Sequence, residues 1–273
     1  MLTDIVEHEK LVHLEHRRVS KRHTSYPKEK NLNQSTAPVK RRPGRTDRTP
    51  RCRQASRASL PIVPRSAPPT RSPTTVIFDL GGVLIDWDPR HLYRGLFADD
   101  ASMEAFLAEI TTPAWNTEQD AGRPWADAIA VLAGRHPEQR ELIEAFHRRW
   151  PEMMAGPIDG TVAILQQLRD AGVPVYALSN WSAETFPIAR GRFPFLDWFA
   201  GIVISGDVGS VKPDAGIFEH LVDLYALDPR TAVFIDDSPG NVEAAGRLGF
   251  VALRFIDAPT LRRDLVRLGL LPR

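Results

Sequence analysis

The chain has 273 residues, of which 42% are apolar and 25% charged, as in an ordinary globular protein. Its single cysteine, Cys52, excludes a framework of intrachain disulfides. No apolar run approaches the ~18 residues of a membrane span. The first residues also lack the basic flank and apolar core of a signal peptide. We therefore expect a cytoplasmic protein with no membrane partner.

The net charge of +1 hides a strong asymmetry along the chain. Residues 1–72 carry 17 Lys and Arg against 6 Asp and Glu, whereas the remainder carries 18 against 28. The basic part is rich in Pro, Ser, Thr and Arg and predicts a disordered extension. Its stretch from Lys40 to Arg45 could touch an acidic surface, but it has no interleaved aromatic side chains. Specific nucleic-acid binding is therefore not expected.

A carboxylate follows the first apolar run of the remaining chain. Val76-Ile77-Phe78 leads to Asp79, and a glycine-rich turn with Gly81 and Gly82 comes next. Open parallel sheets bind their ligands beyond the carboxyl ends of the strands, so Asp79 is a candidate functional residue. A simple turn-capping role is the alternative.

Further polar groups follow in a fixed order downstream: Ser179-Asn180, Lys212-Pro213 and Asp236-Asp237. The first and last of these end apolar runs, and the lysine stands just before a helical pattern. With Asp79 they provide a carboxylate nucleophile, a hydroxyl and amide donor, a cation, and a carboxylate pair for a divalent metal.

The alternation of apolar runs with amphipathic stretches predicts an α/β fold with a Rossmann-like, doubly wound parallel sheet. The predicted strands cover residues 75–79, 173–178, 201–204, 231–235 and 250–255. One predicted helix covers about 159–171 and ends at Gly172.

Residues 89–156 are too many for one crossover helix and contain several helical patterns separated by turn signals. They predict an all-helical cap, inserted between core segments 73–88 and 157–273. Its polar loop from Asn116 to Arg123 is expected to reach the site, with Arg123 contacting the substrate. Three tryptophans of the cap are expected to pack in its interior: Trp115, Trp125 and Trp150.

The four segments resemble the motifs of the haloacid dehalogenase superfamily of hydrolases over residues 74–270. The matching strings are Phe78-Asp79-Leu80-Gly81-Gly82-Val83, Leu178-Ser179-Asn180, Lys212-Pro213 and Ile235-Asp236-Asp237. The chain is most similar to capped phosphatases, including the amino-terminal phosphatase branch of epoxide hydrolases and sugar-phosphate phosphatases.

This resemblance implies that Asp79 attacks a small phosphorylated metabolite and forms an aspartyl-phosphate. Ser179 and Lys212 would hold the transferring group, with Asn180, Gly81 and Gly82 at the substrate.

The resemblance also implies a Mg²⁺ ion. Asp79, the Gly81 carbonyl, and Asp236 or Asp237 would bind it, and Asn241 would orient a metal ligand. The adjacent pair Asp236-Asp237 fits this expectation, since two neighbouring carboxylates repel each other without a cation. A helix N-cap is the alternative role for this segment.

One position departs from the resembled phosphatases, which usually carry a second aspartate two residues after the nucleophile as general acid and base. This chain has Gly81 there. Three explanations stay open: the leaving group needs little protonation, another group carries the proton, or the protein turns over slowly and acts as a binder. Candidates for another group are Asp86, Asp88 or a cap residue, although Asp88-Pro89 is also typical of a helix start.

Two other functions remain as alternatives. Asp79 could attack carbon in a 2-haloacid dehalogenase, but the metal-free members of that class lack an acidic pair at the fourth motif. The chain could also be a non-catalytic protein that binds a phosphate ligand or regulates. The oligomeric state is not predicted.

Overall fold

The computed structural model describes residues 72–273. The predicted basic extension lies outside this range except for Ser72. The strands are β1 (Thr75–Phe78), β2 (Ile85–Trp87), β3 (Met154–Pro157), β4 (Val175–Ser179), β5 (Gly201–Ile204), β6 (Ala232–Asp236) and β7 (Val251–Arg254).

Five of these strands form one parallel sheet in the order β5-β4-β1-β6-β7. The chain moves outward from β1 in both directions, so β1 and its neighbours stand at the point where the strand order reverses. The predicted doubly wound parallel sheet is confirmed, and the predicted strands agree with the observed ones within two residues at each end.

Helices connect the strands. Those between β2 and β3 are α1 (Pro89–Tyr93), α2 (Asp100–Glu109), α3 (Pro113–Asp120), α4 (Trp125–Arg135) and α5 (Arg140–Arg148). The others are α6 (Asp159–Asp170), α7 (Phe186–Arg192), α8 (Ser205–Val208), α9 (Ala215–Tyr225), α10 (Pro239–Arg247) and α11 (Ala258–Arg267). None of the helices within residues 72–273 combines the length and the apolar character needed to cross a bilayer.

The central strands β1, β4 and β6 are mostly apolar, as expected for strands that helices cover on both faces of the sheet. In β1, Val76 and Phe78 join one core cluster and Ile77 joins the cluster on the opposite face. This alternation is the two-residue period of a strand. All three side chains are fully buried, which fixes the carboxyl end of β1 beneath the site.

A short antiparallel ribbon of β2 and β3 carries the segment between them. The chain leaves through β2 and returns through β3, and Trp87 pairs with Met154 at the far end of the ribbon. We call residues 89–153 the helical insertion. The helices expected there are present, and the assignment of residues 89–156 as a separate cap domain stays a prediction. The sequence analysis did not predict the ribbon.

The segment predicted as a polar loop from Asn116 to Arg123 is mostly helical, so that prediction was wrong. Its first five residues belong to α3. The Thr112 hydroxyl caps this helix by accepting a hydrogen bond from the Trp115 backbone N–H at 3.1 Å, and Pro113 occupies the first turn. Both are recognised helix-start signals.

An aromatic cluster fills the interior of the helical insertion. Ring centroids of Trp115, Trp125, Phe146 and Trp150 lie 5.3–5.7 Å apart. All four rings are buried. The expectation that the three tryptophans pack in the interior is therefore confirmed.

Candidate active site

Three polar residues meet at the carboxyl edge of the sheet. Asp79 follows β1, Ser179 ends β4 and Asp236 ends β6. Because β1 pairs with both β4 and β6, these strand ends are neighbours. The Asp79 backbone N–H donates to the Ile235 carbonyl at 2.8 Å, which fixes the turn directly after β1.

The Asp79 carboxylate is held at both oxygens and is 8% exposed. Its Oδ1 accepts hydrogen bonds from the Leu80 backbone N–H and the Ser179 hydroxyl, each at 2.7 Å. Its Oδ2 lies 2.9 Å from Lys212 Nζ. The carboxylate therefore has one orientation in the structure, as a positioned nucleophile requires.

Lys212 is a buried cation whose ammonium has three oxygen partners. Besides Asp79, Nζ lies 2.7 Å from Asp236 Oδ2 and 2.8 Å from the Leu178 carbonyl oxygen. An ammonium has three protons to donate, so each one has an acceptor. Burial alone would lower the pKa of Lys212, but the charges of Asp79 and Asp236 outweigh it and raise the pKa. The group is thus a fixed positive charge.

Asn180 uses its side chain to hold the lysine loop. Its Nδ2 donates to the Lys212 carbonyl at 2.9 Å, and its Oδ1 accepts from the Lys212 backbone N–H at 2.8 Å. The structure thus gives this side chain a positioning contact, and its predicted contact with the substrate stays a prediction.

The two carboxylates after β6 differ in environment. Asp236 is fully buried and accepts from Lys212, from the Ser238 backbone N–H at 2.8 Å, and from Asn241 Nδ2 at 3.1 Å. Asp237 is exposed and does not serve as the N-cap of α10, which is Ser238. Asn241 thus orients a carboxylate, as expected of a residue that supports a metal ligand.

Negative charge exceeds positive charge at this edge of the sheet. Asp79, Asp236 and Asp237 each offer a carboxylate oxygen within 4.8 Å of the others, whereas Lys212 contacts Asp79 and Asp236. Burial, with a contribution from the charge of Asp236, raises the pKa of Asp79 to about 7 against the opposing effect of Lys212. Burial and Asp236 also raise the pKa of Asp237. An all-oxygen donor set of this charge fits a hard divalent cation.

The glycine turn leaves room for Asp237. Gly82 has φ +71°, a left-handed conformation, and a Cβ there would lie 2.7 Å from Asp237 Oδ2. Only glycine satisfies both constraints without displacement. A Cβ on Gly81, in contrast, would meet nothing within 4 Å.

A small cavity of about 50 Å³ opens beside Gly81. Its wall includes Asn180 and Trp181 from the sheet side, with Asn116 and Asp120 from α3. The indoles of Trp87 and Trp150 complete it. The segment expected to reach the site therefore does so, through Asn116 and Asp120.

Arg123 is not among the residues that line this cavity. Its guanidinium pairs with Glu118 on the preceding helix. The predicted contact of Arg123 with a substrate thus has no support from the geometry and stays a prediction.

The two acidic residues after the first motif have structural partners. Asp86 is exposed and lies 3.0 Å from His91 Nε2. Asp88 is the N-cap of α1 and accepts from the Arg90 backbone N–H at 2.9 Å. The helix-start interpretation of Asp88-Pro89 is confirmed.

A comparison with known protein families identifies the family of this chain. Residues 73–249 match the haloacid dehalogenase-like hydrolases. The chain belongs to this family. The match covers the β1 turn, the β4 end, the lysine loop and the β6 end, so it includes all of the groups gathered at the sheet edge.

Two curated proteins are similar to about two thirds or more of this chain. A sesquiterpene phosphatase of Aspergillus oryzae is 28% identical over 182 residues, which are 67% of this chain and 89% of that protein. A drimenol cyclase of Aspergillus calidoustus is 25% identical over 195 residues, which are 71% of this chain and 36% of the cyclase. The chain thus matches about a third of the length of the second relative.

Among solved structures, an enzyme of the same haloacid dehalogenase family from Bacteroides thetaiotaomicron has been described in complex with magnesium and inorganic phosphate. It superposes with a TM-score of 0.55 at 22% identity, covering 68% of this chain and 95% of its own. This likeness shows the shared fold.

The contrast between the two glycines gives a prediction about the hydrolase turn. Gly82→Ala is expected to lower the free energy of unfolding by about 1–2 kcal/mol, because the new residue must adopt a left-handed conformation. The matched control Gly81→Ala is expected to stay within about 0.5 kcal/mol of the wild type. Urea unfolding of both variants measures the difference, and equal losses would contradict the assigned constraint.

Proposed function

We propose that this hydrolase is a Mg²⁺-dependent phosphatase that acts on a small phosphorylated metabolite through an aspartyl-phosphate on Asp79. The observation that carries the proposal is the excess of three carboxylates over one lysine at the sheet edge. A carbon-attacking dehalogenase brings no phosphate charge to neutralise and gains nothing from such a cluster. A phosphatase needs a cation there, since the nucleophile and the substrate are both anionic.

Each residue has a role in this mechanism. Asp79, Asp236, Asp237 and the Gly81 carbonyl would hold the metal, which when bound supplies positive charge between the nucleophile and the phosphoryl oxygens. Asp79 attacks phosphorus. Ser179 and Lys212 fix the Asp79 carboxylate by donating to its two oxygens, and the positive charge of Lys212 stabilises the phosphoryl oxygens that gain charge during transfer.

Water then hydrolyses the aspartyl-phosphate and frees Asp79. Asn241 keeps Asp236 oriented throughout, through its hydrogen bonds to both carboxylate oxygens.

The first prediction of this proposal concerns turnover by the full chain. Phosphate release is expected from a panel of phosphate esters with Mg²⁺ and not with a chelator. Asp79→Asn should reduce it to the level of the blank, because an amide cannot replace the carboxylate nucleophile. Asp223→Asn, an exposed aspartate on α9, is the matched control and should keep full activity.

Other outcomes lead to defined alternatives. Activity retained in Asp79→Asn would show that the nucleophile is wrong. Halide release from 2-haloacids, without any phosphate release, would establish the dehalogenase. Phosphate binding without turnover of either class would favour the binding protein.

The second prediction concerns metal affinity and pH. With its pKa raised to about 7, Asp79 is largely protonated at pH 5.5 in the metal-free protein and must lose that proton to bind a cation. Mg²⁺ should therefore bind about 30-fold more tightly at pH 8 than at pH 5.5. Without metal, the contribution of Asp79 to stability is present at low pH and is lost as pH rises toward 7.

Isothermal titration calorimetry at the two pH values measures this difference. Asp237→Asn should weaken Mg²⁺ binding at both, because it removes one of the three carboxylates. Equal affinity of the wild type at both pH values would contradict the role of Asp79 as a ligand.

We also infer that the organic part of the substrate is apolar. A cleft of about 730 Å³ in the helical insertion has more apolar than polar wall, with apolar side chains such as Trp87, Leu107 and Phe146. Asp88, Arg90 and Glu104 also line it. It shares Trp87 and Asn116 with the small cavity beside Gly81. A cleft of this size and character suits an isoprenoid-sized hydrocarbon. The similarity to a sesquiterpene phosphatase supports the same class.

The matching prediction uses Ala108→Trp, which places an indole in the cleft without removing a core side chain. The ratio kcat/KM for a fifteen-carbon isoprenyl monophosphate should fall about 10-fold or more, while that for a short-chain alkyl phosphate stays unchanged. Ala105→Trp, on an exposed position of α2 outside the cleft wall, is the control. A wild type that prefers sugar phosphates to isoprenyl phosphate would contradict the inference.

A further inference from the structure

The groups around Asp79 leave one chemical task unassigned. The leaving oxygen of an alkyl phosphate needs a proton, and the attacking water must lose one. Lys212 donates all three of its ammonium protons to protein oxygens, and the Asn180 amide donates to the Lys212 carbonyl. Asp236 is fixed as an acceptor by Lys212 and Asn241. The residue beside the nucleophile, Gly81, has no side chain.

We propose that Asp120, delivered by the helical insertion, is the catalytic acid and base of this site, an inference that rests on the proposed phosphatase function. Asp120 ends α3 and is 7% exposed. It lines the same small cavity as Gly81 and Asn180. A Cβ on Gly81 would meet nothing within 4 Å, so the space beside this residue is open.

Contacts between the helical insertion and the core fix the position of Asp120. The Ser205 hydroxyl at the start of α8 donates to the Asp120 carbonyl at 2.6 Å and accepts from the Trp181 backbone N–H at 2.9 Å. The following helix is held as well, because the Trp125 indole N–H donates to the Ser182 hydroxyl at 3.0 Å. The Asp120 carboxylate therefore lies where hydrogen bonds hold the helical insertion against the core.

The carboxyl group of Asp120 is oriented but not neutralised. Asn116 Nδ2 donates to its Oδ2 at 2.9 Å, and the Ser182 backbone amide also faces it. Within residues 72–273 no Lys, Arg or His forms an ion pair with it. Burial, together with the charge of Asp79, raises the pKa of Asp120 to about 7. At neutral pH Asp120 can therefore donate a proton and, once ionised, accept one.

The first step transfers the phosphoryl group to Asp79. The Asp79 carboxylate forms a bond to phosphorus while the bond from phosphorus to the leaving oxygen breaks. That oxygen takes the electron pair and the Asp120 proton, and leaves as the alcohol.

Asp120, now a carboxylate, accepts a proton from the attacking water as the water oxygen bonds to phosphorus. The bond from phosphorus to Asp79 then breaks and its electron pair returns to the Asp79 carboxylate. Asp120 ends protonated, ready for the next turnover.

The test compares leaving groups in Asp120→Asn, which keeps the size of the side chain and an oxygen for Asn116. With an alkyl phosphate, kcat/KM should fall about 10²–10⁴-fold. With p-nitrophenyl phosphate it should change less than about 10-fold, because p-nitrophenolate leaves without a proton. Phosphorylated Asp79 should also accumulate in this variant, since the water step has lost its base.

A second variant tests the chemical role itself. Adding Gly81→Asp to Asp120→Asn places a carboxyl group in the same cavity, where a Cβ meets nothing within 4 Å. It should restore turnover of the alkyl phosphate at least about 10-fold. Asp127→Asn, an exposed aspartate on α4, is the matched control and should leave both substrates unaffected.

Three outcomes overturn the assignment: unchanged kinetics in Asp120→Asn, an equal fall with both leaving groups, or no rescue by Gly81→Asp. The proposed function fails separately. In that case wild-type protein with Mg²⁺ releases no more phosphate from either ester than Asp79→Asn does.

Discussion

The buried ammonium of Lys212 is the interaction on which the site depends. It joins the ends of β1, β4 and β6 through Asp79, the Leu178 carbonyl and Asp236. Removing one partner of a buried ion pair typically costs about 3–5 kcal/mol, because the remaining charge is stranded away from water. Here two carboxylates would be stranded. The same charge that orients the Asp79 carboxylate therefore also holds the carboxyl edge of the sheet together.

Asp79 and Asp120 both have raised pKa values, but their surroundings differ. Asp79 has a cationic partner and two further carboxylates near it, whereas Asp120 has amide donors and, among residues 72–273, no cation in contact. A divalent ion at the sheet edge would lower the pKa of Asp79, which would become its ligand, more than that of Asp120. Metal binding would thus separate the two groups into an ionised nucleophile and a protonated acid. Surroundings that separate the pKa values of two carboxyl groups in this way determine which group is ionised and which one donates a proton.

The sequence was sufficient for the sheet and for the residues at its carboxyl edge. Buried parallel strands are apolar runs, and their ends must meet, so Asp79, Ser179 and Asp236 could be placed together without coordinates. Asp120 could not be found this way, because its place depends on how α3 docks against Ser205. The signal was nonetheless present, since Asn116 and Asp120 have the i, i+4 spacing of one helix face. Arg123 was expected to contact the substrate. The sequence gives no distances, and in the structure its guanidinium pairs with Glu118.

The three-residue ribbon of β2 and β3 has a consequence for how such proteins diversify. It brings the two ends of the helical insertion side by side, with Trp87 paired to Met154. Because the insertion begins and ends at two paired strands, it can change in length or sequence without moving the strands of the sheet. The residues at the carboxyl edge of the sheet would keep their places through such a change. If Asp120 carries the proton, a changed insertion must supply another carboxyl group, which couples the choice of substrate to the rate of turnover.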